Sequence, residues 1–334
     1  MNDINSSLVK AAITAVGAYV PEDKLTNADL EKMVETNDEW ILARTGIKER
    51  RILKDPSKGT SFMAIKAAED LIEKKNLDPQ EIDAVILATI TPDMNVAATA
   101  AYVASQIGAT NAFGFDLQAA CSGFLYGMSI ASNMVTGGRY KKVLLVGADK
   151  MSSIIDYTDR TTCIIFGDGA GAVLFEPSQS GYGWIDEYLR SDGSGRTFLN
   201  IKAGGSLHPT SNETLAKGMH NLYQDGKSVF KYAVSEMTHA AEEIIQRNEI
   251  NPDSIAYLVP HQANKRIIDA IAKRINLPED RVMSNIQYFG NTTAATLPLL
   301  LKDYESKLNP GDRLVFAAFG GGFTWGAAYM TWAY

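Results

Sequence analysis

The chain has 334 residues, 46% of them hydrophobic and 21% charged, a composition of ordinary globular proteins and long enough for two domains or one large α/β unit. With 32 Lys and Arg against 39 Asp and Glu its net charge is −7, which excludes a broad basic field for nucleic acid. Its two cysteines form no CxxC pair, its four histidines make no zinc pattern, and no apolar run reaches the roughly 20 residues that span a bilayer.

Met1 to Ser7 is mostly polar and Lys10 interrupts the apolar residues on either side of it, so no secretory segment is expected and the cysteines read as belonging to a reducing, cytoplasmic compartment. Ala67 to Ile82, AAEDLIEKKNLDPQEI, ends a helix, turns at Asp78-Pro79 and enters the apolar strand Ala84 to Ile90. Phe115-Asp116-Leu117 then leads into Cys121 and an apolar helix face. Strand KKVLLVGA (Lys141 to Ala148) and a glycine-rich turn feeding a closing strand (Gly167 to Phe175) complete the first series.

The series is then repeated. Ala240 to Ile255, AAEEIIQRNEINPDSI, matches the first helix end at an offset of 173 residues without a gap, turns at Asn251-Pro252 and enters IAYLVP (Ile255 to Pro260). Val282-Met283-Ser284 leads into Gly290-Asn291-Thr292 and a helix, followed by strand Asp312 to Phe319 and a second glycine-rich turn and strand, Gly320 to Met330. The order continues in parallel while the spacing drifts. Helices alternating with buried strands predict largely parallel sheets covered on both faces. The chain therefore reads as two duplicated β/α halves, residues 1–176 and 177–334, related by a pseudo-twofold axis that brings loops at corresponding strand ends together.

Four of those loops carry candidate chemistry. Cys121 reads either as a nucleophile at a helix start, its thiol pKa lowered by the helix dipole, or as a small buried residue. Cys163, in CIIFGD, has no helix start beside it and reads as core. His261, after Val259-Pro260, emerges at a strand mouth and reads as a functional donor or a structural one. His208, His220 and His239 read as ordinary polar positions. Asn291 serves as a helix cap unless Thr292 or Thr293 takes that role. Gly320-Gly321-Gly322 exposes backbone N–H groups able to hold an oxyanion. Together, a cysteine as acyl carrier and two neutral donors aimed at developing charge make a sharper signal than any one residue. Pro209 to Gly226 is polar and carries no period that assigns an element.

Read in order, the motifs DEWILARTGIKER (Asp38 to Arg50), AACSGF around Cys121, DRTTCIIFGDGAGA (Asp159 to Ala172), VPHQAN ending at Asn264, GNTTAA (Gly290 to Ala295) and AFGGGFTWG ending at Gly326 resemble those of the β-ketoacyl-acyl-carrier-protein synthases III, over essentially the whole length. The resemblance implies a thiolase-like α/β fold with a layered αβαβα core. It implies a decarboxylative condensation of an acyl-CoA starter with malonyl-acyl-carrier-protein through an acyl-Cys121 intermediate, initiating fatty acid biosynthesis. His261 and Asn291 would stabilise the enolate, and the backbone N–H groups of Cys121 and Gly321 the tetrahedral oxyanion. Thr36, Trp40, Arg44, Arg160, Gly226 and Asn264 match CoA contacts. Lys231, Arg266, Lys273 and Arg274 match a basic patch for the carrier protein. No metal or cofactor is expected, and a homodimer is. Val96 and Phe319 match acyl-pocket positions; where many members read F-P, this chain has Val96-Ala97, which predicts a roomier pocket. The nearest alternative keeps the fold and changes the acceptor, as in condensing enzymes or acyltransferases of secondary metabolism. A catalytically silent homologue is a further alternative, against which all three of Cys121, His261 and Asn291 are present.

Overall fold

The computed structural model describes residues 9–334; the polar start Met1 to Ser7 lies outside them. The first half runs β1 (Ala11–Tyr19), β2 (Lys24–Thr26), α1 (Asn27–Leu30), α2 (Asp38–Thr45), β3 (Glu49–Arg51) and α3 (Thr60–Lys75). It continues with β4 (Ala84–Ala88), α4 (Thr99–Gln106), β5 (Phe113–Leu117), α5 (Gly123–Thr136), β6 (Val143–Asp149) and β7 (Gly169–Pro177). The second half runs β8 (Trp184–Ser191), β9 (Leu199–Ile201), α6 (Asn212–Ala216), β10 (Leu222–Gln224), α7 (Gly226–Arg247) and β11 (Tyr257–Pro260). It closes with α8 (Lys265–Arg274), α9 (Ile286–Phe289), α10 (Thr296–Tyr304), β12 (Arg313–Gly320) and β13 (Thr324–Thr331).

The two main sheets have the same plan. One is ordered β1-β7-β6-β4-β5, the other β8-β13-β12-β11, with Val282 bridging in parallel to Leu258 where a fifth strand would lie. In each, the two inner strands β4–β6 and β11–β12 are parallel and the remaining pairs of the series β6–β7–β1 and β12–β13–β8 antiparallel. Val282-Met283-Ser284 is thus one bridge rather than a strand.

The duplicated helix ends are built alike in detail. Asn76 and Glu249 both lie in the left-handed region at φ 50°. Asp78 and Asn251 then each accept from the backbone two residues on, Gln80 N at 2.9 Å and Asp253 N at 3.0 Å, over a proline-started turn. A short polar side chain before proline is what such a turn requires.

Side chains alternate across each strand, and here both faces are covered, which explains continuous apolar runs. Ala84, Ile86 and Ala88 of β4 face Phe124, Leu125 and Met128 of α5 and, from the other half, Leu297, Leu300 and Leu301 of α10. Val259, Phe316 and Met330 of the second sheet close that same layer. Val85 and Leu87 point the opposite way, onto α3 and α4, while Leu258, Val315 and Ala327 pack under α7 and α8. The layers are therefore helix, sheet, helix, sheet, helix, with α5 and α10 innermost. α5 begins after the carboxyl end of β5 and α10 beside the carboxyl end of β6, where the two halves meet.

Among the described residues no helix is long and apolar enough to cross a membrane. The stretch 209–226 that carried no readable period holds α6 and β10, the latter pairing antiparallel with β9. Three-residue strands and a five-residue helix are too short to leave a period in the sequence.

Candidate active site

Chain direction changes sharply before the nucleophile candidate. β5 ends at Leu117, Ala120 takes φ 46°, and a single 3₁₀ turn, Ala120–Ser122, precedes α5. The turn is pinned from the other half: Ser122 Oγ donates to the Thr324 carbonyl at 2.9 Å, and Thr324 Oγ1 donates to the Ala119 carbonyl at 2.9 Å. Gly320 lets β12 approach, since a Cβ there would lie 2.7 Å from the Cys121 nitrogen. Cys121 is 6% exposed.

The thiol is not lowered as a helix start alone predicts. Burial, and then the Asp149 carboxylate, push Cys121 up to about 12, against the pull of its backbone N–H and the Asn291 side chain. The physical reason is position: α5 begins two residues later, and the sulfur lies in an enclosed, apolar turn. Cys163 is packed with Leu30, Ile41 and Met151, and burial raises it to about 11.

His261 leaves the end of β11 with its N–H on the Ala317 carbonyl at 2.8 Å. Its Nδ1 lies 2.7 Å from Thr296 Oγ1, and its Nε2 is buried with no partner. Burial pushes the imidazole down to about 3, so the ring is neutral at working pH. Gln262 beside it holds the approaching loop, its Oε1 accepting from Asn285 N at 3.1 Å and Ile286 N at 3.2 Å.

Asn291 is held by first-half backbone: its N–H donates to the Ile165 carbonyl at 3.0 Å and its carbonyl accepts from Gly167 N at 3.1 Å. It does not cap α10, whose N-cap is Ala295 without a side-chain bond. Its Oδ1 accepts from Thr293 N at 2.8 Å, and its amide nitrogen is left to the Cys121 sulfur. Arg50, fully buried, braces this region by donating to Asn27 Oδ1 at 2.6 Å and to the Ile164 carbonyl.

Cys121, His261 and Asn291 share the floor of one cleft of about 1530 Å³ with Gly321 and Phe319. Trp40, Arg44, Arg160, Gly226, Asn264 and Arg266 also line it. Trp40, 37% exposed, has two guanidinium groups near its ring, Arg44 5.7 Å and Arg160 5.6 Å from the ring centre. Arg160 also donates to the Glu35 carbonyl at 2.9 Å.

Other sequence candidates lie elsewhere. Thr36, next to Glu35, does not line the cleft, and its hydroxyl is buried without a partner. Val96 is 86% exposed on a loop outside its own chain's cleft. Lys231, Lys273 and Arg274 are exposed away from the cleft lining, and Arg274 pairs with Glu242 at 2.6 Å. Arg266 and Arg274 stand at opposite ends of α8, about 12 Å apart along its axis.

Arg196, Lys202 and Lys227 line the cleft and escaped the sequence reading, and His208, read as an ordinary polar position, lines it too. With Arg44, Arg160 and Arg266 they make six cations, and no Asp or Glu lines the cleft among the described residues. They come from helices and connecting segments far apart in sequence, so no local charge run marks them.

The model for 3-oxoacyl-[acyl-carrier-protein (ACP)] synthase III matches residues 115–193, and that for its C-terminal part residues 245–332. A β-ketoacyl-[acyl-carrier-protein] synthase III from Chlorobium chlorochromatii is 56% identical over 97% of this chain and 100% of that protein. One from Bacteroides thetaiotaomicron is 53% identical, over 98% of this chain and 97% of the relative. The crystal structure of 3-oxoacyl-[acyl-carrier-protein] synthase III from Aquifex aeolicus superposes with a TM-score of 0.88 at 40% identity, covering 96% of this chain and 100% of the other.

Proposed function

The chain belongs to the 3-oxoacyl-[acyl-carrier-protein] synthase III family, and from that membership we propose how its own residues carry the reaction. It is an acyltransferase-type condensing enzyme that joins an acyl-CoA starter to malonyl-acyl-carrier-protein at the start of fatty acid biosynthesis. The observation that carries the residue assignments is the meeting of Cys121, His261 and Asn291 on the floor of a cleft that six cations and no carboxylate line among the described residues.

In the first half-reaction Cys121 Sγ attacks the acyl-CoA carbonyl. Because the thiol is held high, its proton leaves as the bond forms rather than before it. That proton passes to the departing CoA thiolate. Backbone N–H groups of Cys121 and Gly321 hold the tetrahedral oxyanion. In the second half-reaction His261, as the neutral Nε2–H tautomer, and the Asn291 amide donate to the malonyl thioester oxygen. Loss of CO₂ leaves its electron pair on the enolate, which attacks the acyl-Cys121 carbonyl; the Cys121 thiolate leaves and takes a proton from water. Decarboxylation itself supplies the carbanion, so the chemistry asks for no metal or organic cofactor.

Trp40 and Arg160 take the adenine ring between them, with Arg44 on the nucleotide phosphate and Gly226 and Asn264 along the CoA arm; Thr36, off the cleft, takes no part. The cation-lined mouth suits phosphates. Arg266 at the mouth, with Lys231, Lys273 and Arg274 outside it, steers an acidic carrier protein. The working unit is a cytoplasmic homodimer: both cysteines are free, as a reducing compartment allows, and exposed Met94 and Val96 belong against a partner's acyl site. Phe319 lines the chain's own side of that site. The small Val96 admits longer or branched starters.

Incubation with acetyl-, isobutyryl- and octanoyl-CoA followed by intact-mass analysis is expected to place one acyl group on the protein, and none on Cys121→Ser. The acylated protein is expected to condense with malonyl-carrier-protein far faster than with malonyl-CoA. An adduct that survives Cys121→Ser overturns the nucleophile, equal rates with both malonyl donors overturn the carrier-protein surface, and steep preference for acetyl-CoA overturns the roomier pocket.

A further inference from the structure

Thr293 is 1% exposed and lies at φ 51°, in the left-handed region that a β-branched side chain adopts only when its surroundings impose it. Its surroundings do. Thr293 Oγ1 donates to Asp149 Oδ2, and the next N–H, of Ala294, donates to the same oxygen at 3.3 Å. Asp149 is fully buried at the end of β6. Its other oxygen accepts from Thr89 Oγ1 at 2.9 Å, Ile90 N at 2.8 Å, Thr91 N at 3.1 Å and Thr91 Oγ1 at 2.9 Å. The carboxylate is thus fixed to the first half and holds a peptide of the second.

That peptide holds one of the two donors of the decarboxylation site directly. The Thr293 N–H donates to Asn291 Oδ1 at 2.8 Å. Turning the Asn291 amide over would set its NH₂ against that N–H, donor on donor, so the bond fixes which end of the amide faces Cys121. Thr296 Oγ1 lies 3.0 Å from the Thr293 carbonyl and 2.7 Å from His261 Nδ1; with His261 as the Nε2–H tautomer the single hydroxyl proton goes to Nδ1, so Thr296 anchors the ring. The imidazole is anchored through Nδ1 and its Nε2 is left to the substrate.

We propose that Thr293 is a positioning residue for the decarboxylation step: clamped by Asp149 in a strained conformation, its peptide N–H aligns Asn291. The proposal rests on the reading of His261 and Asn291 as the enolate donors. Cys121 is held independently, by Thr324 and the close approach of Gly320, so acylation does not depend on this clamp.

The experiment separates the two half-reactions. Thr293→Val removes the hydroxyl and keeps the branched shape; Thr293→Ser keeps the hydroxyl. Acylation is followed by intact mass with the three acyl-CoAs above, and decarboxylation by labelled CO₂ release from malonyl-carrier-protein. Thr293→Val is expected to acylate within threefold of the parent. Its kcat for CO₂ release is expected to fall roughly 10- to 100-fold at a KM within threefold, as a misaligned donor would produce. Thr293→Ser is expected to restore CO₂ release to within threefold. Thr293→Gly, which tolerates the positive φ, gives the same split should the valine variant not fold.

CO₂ release within twofold of the parent in the valine or glycine variant, a parallel fall in both half-reactions, or failure of serine to rescue overturns the proposal. His261→Ala, run alongside, is expected to acylate and to release little CO₂. If His261→Ala releases CO₂ at the parent rate, the reading of the donors itself fails and takes the proposal with it. If only His261→Ala is impaired, the reading stands and the role of Thr293 is lost.

Discussion

The turn before α5 and the turn before α10 are the same device used for different ends. Each opens on a residue in the left-handed region, Ala120 at φ 46° and Thr293 at φ 51°, passes through one 3₁₀ turn and starts a helix of the central layer. The two openings stand 173 residues apart, the offset of the duplicated helix ends. The next residue is Cys121 in one turn and Ala294 in the other. Matching the sheets by their paired registers, Ala84 with Val143 and Tyr257 with Leu314, sets Ala88 opposite His261 and Asp149 opposite Gly320. Each of the last two supports the turn of the other half. Asp149 grips Thr293 with a carboxylate, whereas Gly320 leaves room for the Cys121 backbone. On the proposed reading one scaffold presents a nucleophile from one copy and braces donors with the other, and the division of labour lies in single side chains at matched positions.

The largest test of this comparison moves the nucleophile between copies. The double variant Cys121→Ala/Ala294→Cys is expected to take up no acyl group from any of the three acyl-CoAs by intact mass, because Ala294 is fully buried with its N–H committed to Asp149. An adduct on the relocated thiol of that variant would break the asymmetry.

The second concerns stability in acid. In the fold His261 is pushed down to about 3 from an ordinary 6.5, so between those values the unfolded chain binds a proton that the folded chain refuses. Stability is then lost as pH falls from 6.5 towards 3, by at most roughly 5 kcal/mol. Denaturant titrations of the parent and His261→Gln are expected to diverge in that window, the variant having the shallower acid limb. Parallel limbs would show that His261 titrates normally.

The smallest effect separates the two supports. Gly147→Ala would place a Cβ 2.5 Å from the Ala294 carbonyl oxygen, and Gly320→Ala one 2.7 Å from the Cys121 nitrogen. Each is expected to cost about 1–3 kcal/mol in denaturant stability. Gly320→Ala is expected to slow acylation roughly tenfold, and Gly147→Ala chiefly CO₂ release. Identical profiles in the two half-reactions would mean that the turns are not mechanically separate.

Much of this was legible in the sequence for a physical reason: duplication writes the same period twice. The helix ends at Asp78-Pro79 and Asn251-Pro252, the buried strands and the loops of Cys121, His261 and Asn291 all stand out locally. The positive φ at Ala120 and Thr293 was not legible, because neither residue type announces it. Nor was the raised Cys121 thiol, which depends on burial and on Asp149, a residue distant in sequence. Arg196, Lys202 and Lys227 gather at the cleft only once the chain has folded.

Arg160 packs over Trp40 at 5.6 Å from its ring centre. A flat ring needs about 3.5 Å of clearance on each face, so anything stacking there must first part the pair and give up their mutual attraction. The mouth is its own competitor. A cleft that serves two substrates in succession gains from such rivalry, because a carrier held too firmly after delivering its cargo would block the next arrival. Any ring that stacks on Trp40 from that side is therefore bound at the cost of the Arg160 contact, which weakens its hold on the doorway.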